Sequence, residues 1–287
     1  MKRAIKTGIS WLVFAATTVR ESFTRMFGSK PRGTCVVLYY HSVPANQREQ
    51  FAQQLDVILR HTTPVPLNGD VALQPGARLT GITFDDGFEN FYEQAWPELE
   101  KRKIPSVMFV IADASGKAFG PAGHSERVMS LDQLRSLPEN LVTLGSHTLT
   151  HPFLPTISDD EARREITGSR AALESMLNRK IRLFSFPFGG FNDRSVELCR
   201  EAGYERVFTT LPNFAFAGPN EFAVGRVRVD PTDSPLEFRL KLAGAYRWLP
   251  SAFRLKHLIV SSWLVRATLS LFDRKPENIE PRSYIQA

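Results

Sequence analysis

The chain alternates between short, continuous apolar runs and segments in which apolar residues recur at steps of three and four. The continuous runs are typical of strands buried on both faces of a sheet, and the stepped segments are typical of amphipathic helices. We predict strands at 35–40, 79–84, 106–111, 141–146, 182–186, 206–210 and 223–229. Helices are predicted at 51–61, 90–103, 131–137, 159–180 and 193–203.

About seven strand–helix units in roughly 200 residues favour a closed or nearly closed (β/α) barrel over an open sheet. In such barrels the chemistry sits at the C-terminal ends of the strands, so the residues that follow each strand are the candidates for function. The two cysteines, Cys35 and Cys199, are too few for a disulfide framework or a thiolate metal site. Both lie in apolar segments, and we expect them to be buried free thiols.

The two ends of the chain are basic as well as apolar at helical spacing. Residues 1–33 carry seven Lys/Arg against one Glu, and residues 239–275 carry eight against one Asp. The part between them is therefore mildly acidic, which argues against a nucleic-acid-binding surface, and we expect no nucleic-acid partner. We divide the chain into a basic amphipathic N-terminal segment (1–33), a barrel (34–238) and a basic amphipathic C-terminal segment (239–287).

These ends have two interpretations. In one, residues 1–33 and 246–272 form interfacial helices that rest on an anionic membrane; in the other, they pack on each other or on the core. The uncharged run 7–19 is too short for a standard transmembrane helix. A signal peptide is a further alternative, since three basic residues precede the apolar run, although no small-x-small site ends it cleanly. We favour peripheral membrane association over a plain cytoplasmic location.

Polar residues follow four of the predicted strands directly. His41 follows the first strand, Asp85 and Asp86 follow the second, His147 and His151 follow the fourth, and the turn PFGG follows the fifth. Neighbouring carboxylates repel each other and lose solvation when buried, so a folded chain rarely pairs them without a partner cation. The Asp-Asp pair therefore indicates either an ordinary exposed turn or a cation site.

The spacing of His147 and His151 allows both imidazoles to point at one ion. Two histidines and one carboxylate form a facial set that suits Zn²⁺ or another first-row divalent metal and leaves positions open for water and substrate. The alternative is that they are two unrelated loop histidines that cap helices. Because the Asp-Asp pair lies at a neighbouring strand end, we favour the metal site.

Four stretches carry a resemblance to a known family. TFDDGFENFYEQAWPELEKRKIPSVMFV, GSHTLTHPFLPTIS and FSFPFGGFN resemble successive motifs of the NodB-like polysaccharide deacetylases, and YYHSVP is similar to the opening strand of many members. The similarity runs from about Cys35 to about Asp230. It implies a deformed (β/α)₇ barrel, here with amphipathic helical extensions at both ends. It also implies hydrolysis of an N-acetyl group on an amino-sugar polysaccharide or glycan.

The resemblance also implies roles for individual residues. The metal ligands are Asp86, His147 and His151, and the catalytic base is Asp85. The backbone N–H of Phe188 is the implied second donor to the developing oxyanion. The implied cofactor is one divalent ion, with Zn²⁺ preferred over Co²⁺, Ni²⁺ or Mn²⁺.

The chain departs from the family at two points. Many members place an Arg that steadies the catalytic Asp where this chain has Ser185; Arg226 is a candidate replacement, unless it and Arg228 are surface residues. The late Leu-x-x-His that supplies the general acid is absent, and His257 more plausibly has a surface role. His41 could serve as the acid or, like Pro187, only line the pocket. The segment 116–124 is expected to be a loop over the site.

Three functions remain open from the sequence. The leading interpretation is a metal-dependent hydrolase of amide bonds on an acetylated glycan. The second is an esterase or deformylase that uses the same site on a lipid-linked sugar, which the basic apolar ends would suit. The third is a carbohydrate-binding or membrane-scaffold protein that has kept the barrel and lost turnover, since the Arg and the late His are missing.

Overall fold

The seven predicted strands form a closed parallel barrel. In a computed structural model, which describes residues 2–120, 125–218 and 221–253, each strand pairs with its sequence neighbours and the last pairs with the first. The strands are β1 (Thr34–Tyr40), β2 (Arg78–Phe84), β3 (Ser106–Val110), β4 (Val142–Ser146), β5 (Leu183–Ser185), β6 (Arg206–Thr209) and β7 (Ala223–Arg228). The expected (β/α)₇ barrel is confirmed.

The barrel is deformed because its strands are unequal in length and pairing. β1 and β2 pair along seven residues, whereas β4 and β5 share the single pair Ser146 and Phe184. A two-residue strand, Thr63–Pro64, adds to β2 outside the ring. A short antiparallel hairpin follows β3 and joins Ala118–Phe119 to Glu126–Arg127. The sequence pattern did not predict either of these short pieces.

Seven helices surround the barrel or flank it in the described ranges. They are α1 (Lys2–Met26), α2 (Arg48–His61), α3 (Trp96–Lys101), α4 (Leu131–Ser136), α5 (Asp159–Leu177), α6 (Asp193–Glu201) and α7 (Pro235–Leu242). Their ends follow from local chemistry. Ser158 and Glu161 form a reciprocal capping box that starts α5, and Asn178 in the left-handed conformation (φ 54°) ends it before the expected residue 180.

The predicted helix 90–103 begins with an irregular turn. Residues Phe91–Ala95 form a π turn that leads into α3. Pro97 has no N–H to donate to the carbonyl four residues earlier, which disfavours a regular helix at that point. This irregular backbone lies immediately after the Asp85–Asp86 strand end.

The core has two layers because side chains alternate along each strand. In β1, Cys35 and Val37 face the barrel interior, whereas Val36, Leu38 and Tyr40 face the surrounding helices. Cys35 and Cys199 are buried free thiols, as expected, and burial raises the pKa of Cys35 to about 12.

The N-terminal helix packs on the barrel with one face only. On its inner side Ser10 is fully buried and accepts a hydrogen bond from Trp248 Nε1 (3.0 Å), and Arg3 donates to Glu237 of α7 (2.7 Å). Its outer side is apolar and exposed. No helix among the described residues is long and apolar enough to cross a membrane.

The proposed division of the chain stays a prediction. α7 runs across the boundary between residues 238 and 239. The C-terminal helix expected at 246–272 lies mostly outside the described residues, and so does His257.

A close contact inside the barrel provides a test of this packing. A Cβ on Gly145 of β4 would lie 2.6 Å from the Phe109 ring and 3.0 Å from the Leu183 carbonyl oxygen. We expect Gly145→Ala to lower the free energy of unfolding by about 1–3 kcal/mol because the overpacked ring must move. Gly8 in α1 has open space around it, so Gly8→Ala should raise stability by up to about 1 kcal/mol. Urea unfolding of both variants measures the difference; equal stabilities would contradict the packing.

Candidate active site

The barrel brings the predicted site residues together at one end. Asp85 and Asp86 follow β2, His147 follows β4, Phe188 lies in the turn after β5, and Arg226 reaches the site from β7. Because all strands are parallel, these positions meet at the C-terminal rim. Asp85, Asp86 and His147 are buried.

Asp86, His147 and His151 form a set of three candidate metal ligands. The Asp86 Oδ1 atom lies 3.4 Å from His147 Nε2 and 3.3 Å from His151 Nε2. Ligands about 2.0–2.1 Å from a tetrahedral Zn²⁺ are separated by about 3.3 Å, so these distances fit one shared ion. Within the described residues, one ligand atom from each of these three side chains lies within 4.8 Å of the other two.

Outer contacts orient the two imidazoles differently. His147 Nδ1 lies 2.8 Å from the Ser185 carbonyl oxygen and donates to it, which turns Nε2 toward Asp86. The buried Nδ1 of His151 has no hydrogen-bond partner among the described residues. The His151 ring is instead held between the aromatic rings of Phe188 (4.4 Å) and Phe119 (5.2 Å).

Several residues of the site adopt left-handed backbone conformations. Asp86 (φ 70°), Thr148 (φ 68°), His151 (φ 67°) and Phe188 (φ 56°) are all non-glycine residues with positive φ. Such conformations cost free energy and persist only where the surrounding structure holds them, which is common at functional sites. Gly87 (φ 78°), directly after Asp86, supplies a second left-handed residue without a side-chain penalty.

Glu165 of α5 fixes the loop that carries the two histidines. Its carboxylate accepts hydrogen bonds from Leu149 N (2.9 Å), Thr150 N (3.0 Å) and Thr150 Oγ1 (2.7 Å). Within the loop, His151 N donates to Thr148 Oγ1 (2.9 Å). Glu165 was not predicted from the sequence, because one acidic residue on an amphipathic helix carries no signal of the groups it will contact.

A buried ion pair holds Asp85. The Arg226 guanidinium donates to both carboxylate oxygens, from Nη1 to Oδ1 (2.7 Å) and from Nη2 to Oδ2 (2.8 Å). Arg226 is fully buried, so it is not a surface residue, whereas Arg228 at the end of β7 is exposed. This bidentate geometry is the strongest form of an Arg–carboxylate contact.

The remaining donors of Arg226 are also satisfied. They bond to Thr83 Oγ1 (2.9 Å), Ser185 Oγ (2.7 Å) and the Thr209 carbonyl oxygen (3.3 Å). Ser185, which stands where many family members have Arg, is thus small enough to leave room for Arg226 and accepts its hydrogen bond. The guanidinium lies among three aromatic rings, those of Tyr39 (4.6 Å), Phe109 (5.4 Å) and Phe208 (5.9 Å).

The electrostatics keep both carboxylates ionised. Burial raises the pKa of Asp85, but the charges of Arg226 and His147 outweigh it, and the net pKa is below the usual value. Burial also raises the pKa of Asp86, yet hydrogen bonds from His147 and His151 bring it far below the usual range. Burial alone would lower the pKa of His147, but hydrogen bonding to Asp86 outweighs it, so the pKa of His147 is raised. Burial lowers the pKa of His151. An anionic pair beside two imidazoles is suited to a cation.

The remaining predicted residues border this centre. His41 packs edge-on against Tyr39 (5.6 Å), and when protonated it lowers the pKa of both Asp85 and Asp86. Pro187 is buried in the turn before Phe188, whose ring is 44% exposed. In the predicted loop 116–124, residues 121–124 lie outside the described ranges.

The hairpin after β3 is attached to the rim by Glu126. Its carboxylate accepts from Ser42 Oγ (2.9 Å) and from the Asn90 side-chain amide. The hairpin thereby brings Phe119 beside His151. The sequence offered no signal for this attachment, because the three residues are far apart in the chain.

Comparison with known proteins places this site in a family context. A family model described as polysaccharide deacetylase matches residues 73–207, which include Asp85, Asp86, His147, His151 and Phe188 but neither His41 nor Arg226. The Bacillus subtilis protein YxkH, which its name assigns to the polysaccharide deacetylases, is 28% identical over 173 residues, covering 60% of this chain and 57% of that protein.

Two further similarities concern a named deacetylase and a solved structure. A poly-beta-1,6-N-acetyl-D-glucosamine N-deacetylase of Staphylococcus aureus is 23% identical over 173 residues, covering 57% of this chain and 58% of that enzyme. The chain thus spans little more than half the length of these two relatives. The structure of IcaB from Ammonifex degensii superimposes with a TM-score of 0.64 at 29% identity, covering 75% of this chain and 98% of that one.

The buried ion pair yields a stability prediction. Arg226→Met leaves the Asp85 carboxylate buried without a partner, and we expect a loss of about 3–5 kcal/mol in the free energy of unfolding. The double variant Asp85→Leu/Arg226→Met removes both charges and should recover most of that loss. Urea denaturation measures all three proteins; a single variant as stable as the wild type would show that the pair is not needed to neutralise Asp85.

Proposed function

Because this chain belongs to the polysaccharide deacetylase family, we propose that it is a metal-dependent hydrolase that removes N-acetyl groups from an amino-sugar polysaccharide or glycan. The observation that carries this proposal is the ionised Asp85 beside the converging donors of Asp86, His147 and His151. By analogy with the named Staphylococcus aureus enzyme, a polymer of N-acetylglucosamine is the preferred substrate class.

We propose Asp86, His147 and His151 as the ligands of one divalent ion. Two imidazole nitrogens and one carboxylate oxygen suit Zn²⁺ first, with Co²⁺, Ni²⁺ or Mn²⁺ as alternatives. When bound, such an ion supplies Lewis acidity that lowers the pKa of water and polarises the acetyl carbonyl.

Asp85 is the proposed general base. It accepts a proton from the attacking water as the water oxygen bonds to the acetyl carbon. Arg226 is a positioning residue, because its two hydrogen bonds fix the carboxylate plane and its charge keeps Asp85 ionised. The Phe188 backbone N–H is the proposed donor to the carbonyl oxygen as negative charge develops on it.

His41 is the proposed general acid. When the C–N bond breaks, the leaving amine nitrogen takes a proton from the His41 ring, and acetate remains as the second product. The support for this role is that His41 follows β1 at the same rim and acts electrostatically on both carboxylates. The other histidine considered from the sequence, His257, lies outside the described residues, so we assign the role of the missing late histidine to His41.

An esterase or deformylase acting on a lipid-linked sugar is the second candidate. The exposed apolar face of α1 favours it, because that face would bring the barrel to a membrane where such a substrate resides. The candidates differ in the bond that is broken: an N-deacetylase releases acetate and exposes an amine, an acetyl esterase releases acetate and exposes a hydroxyl group, and a deformylase releases formate.

The activity and the metal site are tested with three variants. We expect the wild type to bind about one divalent ion and to release acetate from N-acetylglucosamine oligosaccharides. Asp85→Asn should lower the rate by about 10²–10⁴-fold and keep the metal, whereas His147→Ala should lose the metal. His61→Ala, at the opposite end of the barrel, serves as the histidine control. Metal content and product release are measured together, on these oligosaccharides and on N-formylated and O-acetylated sugars; product from the N-formylated or O-acetylated sugars alone would favour the second candidate, and metal without any product would favour a binding protein.

We also propose that α1 holds the protein on an anionic membrane surface, which makes its location peripheral to a membrane. The outer side of α1 exposes seven large apolar residues, most of them more than half exposed: Ile5, Ile9, Trp11, Leu12, Val19, Phe23 and Met26. Phe27, directly after the helix, is also exposed. Basic residues flank this face, as in helices that lie in the membrane interface. Acetylated glycan at or near a membrane is then the substrate within reach.

Vesicle flotation tests the contact. Leu12→Glu/Phe23→Glu places two carboxylates on the apolar face, and we expect at least a tenfold loss of vesicle binding because each buried apolar side chain contributes about 1.5–3 kcal/mol. The control Thr167→Glu/Ala171→Glu adds the same charge to the exposed face of α5. Equal flotation of the two variants would remove α1 as the contact. Hydrolysis of a soluble oligosaccharide, which needs no membrane, should proceed at the same rate in both variants.

A further inference from the structure

A small cavity with a mixed polar and apolar lining lies at the end of the barrel opposite the candidate active site. Its volume is about 60 Å³, and it is enclosed by the inner face of α1, by α7 and by the N-terminal ends of β1 and β2. An open groove beside it shares His61, Thr62 and Arg78 as lining residues. The function proposed above uses neither space.

The lining of these two spaces is strongly cationic. Arg25, Arg60, His61, Arg78 and Arg239, termed the basal cluster, come from α1, α2, β2 and α7. Among the described residues, Glu21 is the one carboxylate that lines either space. Glu21 pairs with Arg78 and lies 3.9 Å from Arg25, so four arginines share one negative charge.

Two of these arginines form no direct ion pair with a carboxylate in the part of the chain that the structure describes. Arg239 makes no side-chain hydrogen bond or ion pair within the ranges 2–120, 125–218 and 221–253, and Arg60 donates there only to the Asp56 carbonyl oxygen (3.2 Å). Burial lowers the pKa of Arg239, and the charges of Arg60 and Arg78 lower it further. Arg239 is half-buried, whereas Arg60 and Arg78 are exposed. Like charges brought together in this way repel one another, and an anion bound between them would remove that repulsion.

The position of the cluster matches that of lipid headgroups. If the apolar face of α1 lies at the boundary of the acyl chains, the opposite side of the helix is about 10 Å further out, because that is the diameter of a helix with its side chains. The polar headgroup layer of one leaflet, about 5–7 Å thick, lies between these two levels, alongside the helix. The basal cluster opens beside the C-terminal end of α1, on this inner side.

We propose that the basal cluster binds the phosphate of an anionic phospholipid headgroup. Guanidinium groups present paired N–H donors that match phosphate oxygens, and several arginines can share one phosphate. The proposal rests on the membrane contact of α1 proposed above and does not depend on hydrolysis.

The basal cluster and the active site are separated along the barrel. Arg78 is the first residue of β2 and Asp85 follows its last, so about 23 Å of strand lies between them. Variants of the cluster should therefore leave the hydrolysis of a soluble oligosaccharide unchanged.

Vesicle co-sedimentation of the full chain tests the headgroup site. The probes are vesicles of phosphatidylcholine alone and of phosphatidylcholine mixed with phosphatidylglycerol. We expect Arg60→Gln/Arg239→Gln to weaken binding to the anionic vesicles about 25-fold, since one basic residue near a membrane contributes about fivefold. The control Arg164→Gln/Lys180→Gln removes the same charge from the exposed surface around α5 and should bind as the wild type does. Arg60→Gln/His61→Gln, at exposed positions, repeats the test if the half-buried Arg239 is needed for folding.

Each outcome separates the proposals. Unchanged binding of the cluster variants to anionic vesicles would overturn the headgroup site and leave the α1 contact intact. Absence of wild-type binding to either vesicle would overturn both membrane proposals while acetate release remains a separate readout. If inorganic phosphate raises the melting temperature of the wild type but not of the cluster variant, and vesicles have no effect, the cluster binds a free anion and the lipid assignment is wrong.

Discussion

The buried pair of Arg226 and Asp85 is the interaction on which the rest of the site depends. Arg226 lies in the barrel interior and contacts residues of β1, β2, β3, β5 and β6, so it joins five other strands to β7. A charge in that position is tolerated only because all its donors are satisfied and its carboxylate partner is held in a bidentate geometry. The same contacts keep Asp85 ionised and fixed at the rim, so the packing requirement and the chemical requirement are met by one side chain.

The rim of the barrel combines rigid support with unfavourable backbone conformations. Asp86, Thr148, His151 and Phe188 are all left-handed. Glu165 reaches from α5 to fix the histidine loop, and Glu126 attaches the hairpin that brings Phe119 to His151. The strain is concentrated where three donor atoms must converge within the reach of a single ion.

The helix α1 separates two environments. Its inner face is tied to α7 and to residues 246–248 by hydrogen bonds and an ion pair, whereas its outer face remains apolar and exposed. Packing on the barrel, one of the two interpretations of the basic N-terminal segment, therefore accounts for the inner face of α1. Membrane contact, the other interpretation, is our proposal for the outer face. The basal cluster lies at the end of the barrel away from the candidate metal ligands, so the proposed membrane attachment and the proposed hydrolysis would take place at different ends of the same strands.

The strands, the barrel and the residues at the strand ends could be predicted from the sequence. They follow from local patterns, namely continuous apolar runs, helical periodicity and the Asp-Asp and His-x-x-x-His spacings. The exact pairing of Arg226 with Asp85 was open from the sequence, since the two residues are 141 positions apart and strand alternation alone does not show which interior partner an arginine meets. The same limit applies to Glu165 and Glu126, whose targets are brought near only when separate elements pack, and to the arginines of the basal cluster, which come from four different elements. The order of residues along the chain fixes which residues follow each strand. Closure of the barrel fixes which charges neutralise one another, because electrostatic contacts depend on distance in space and not on distance along the sequence.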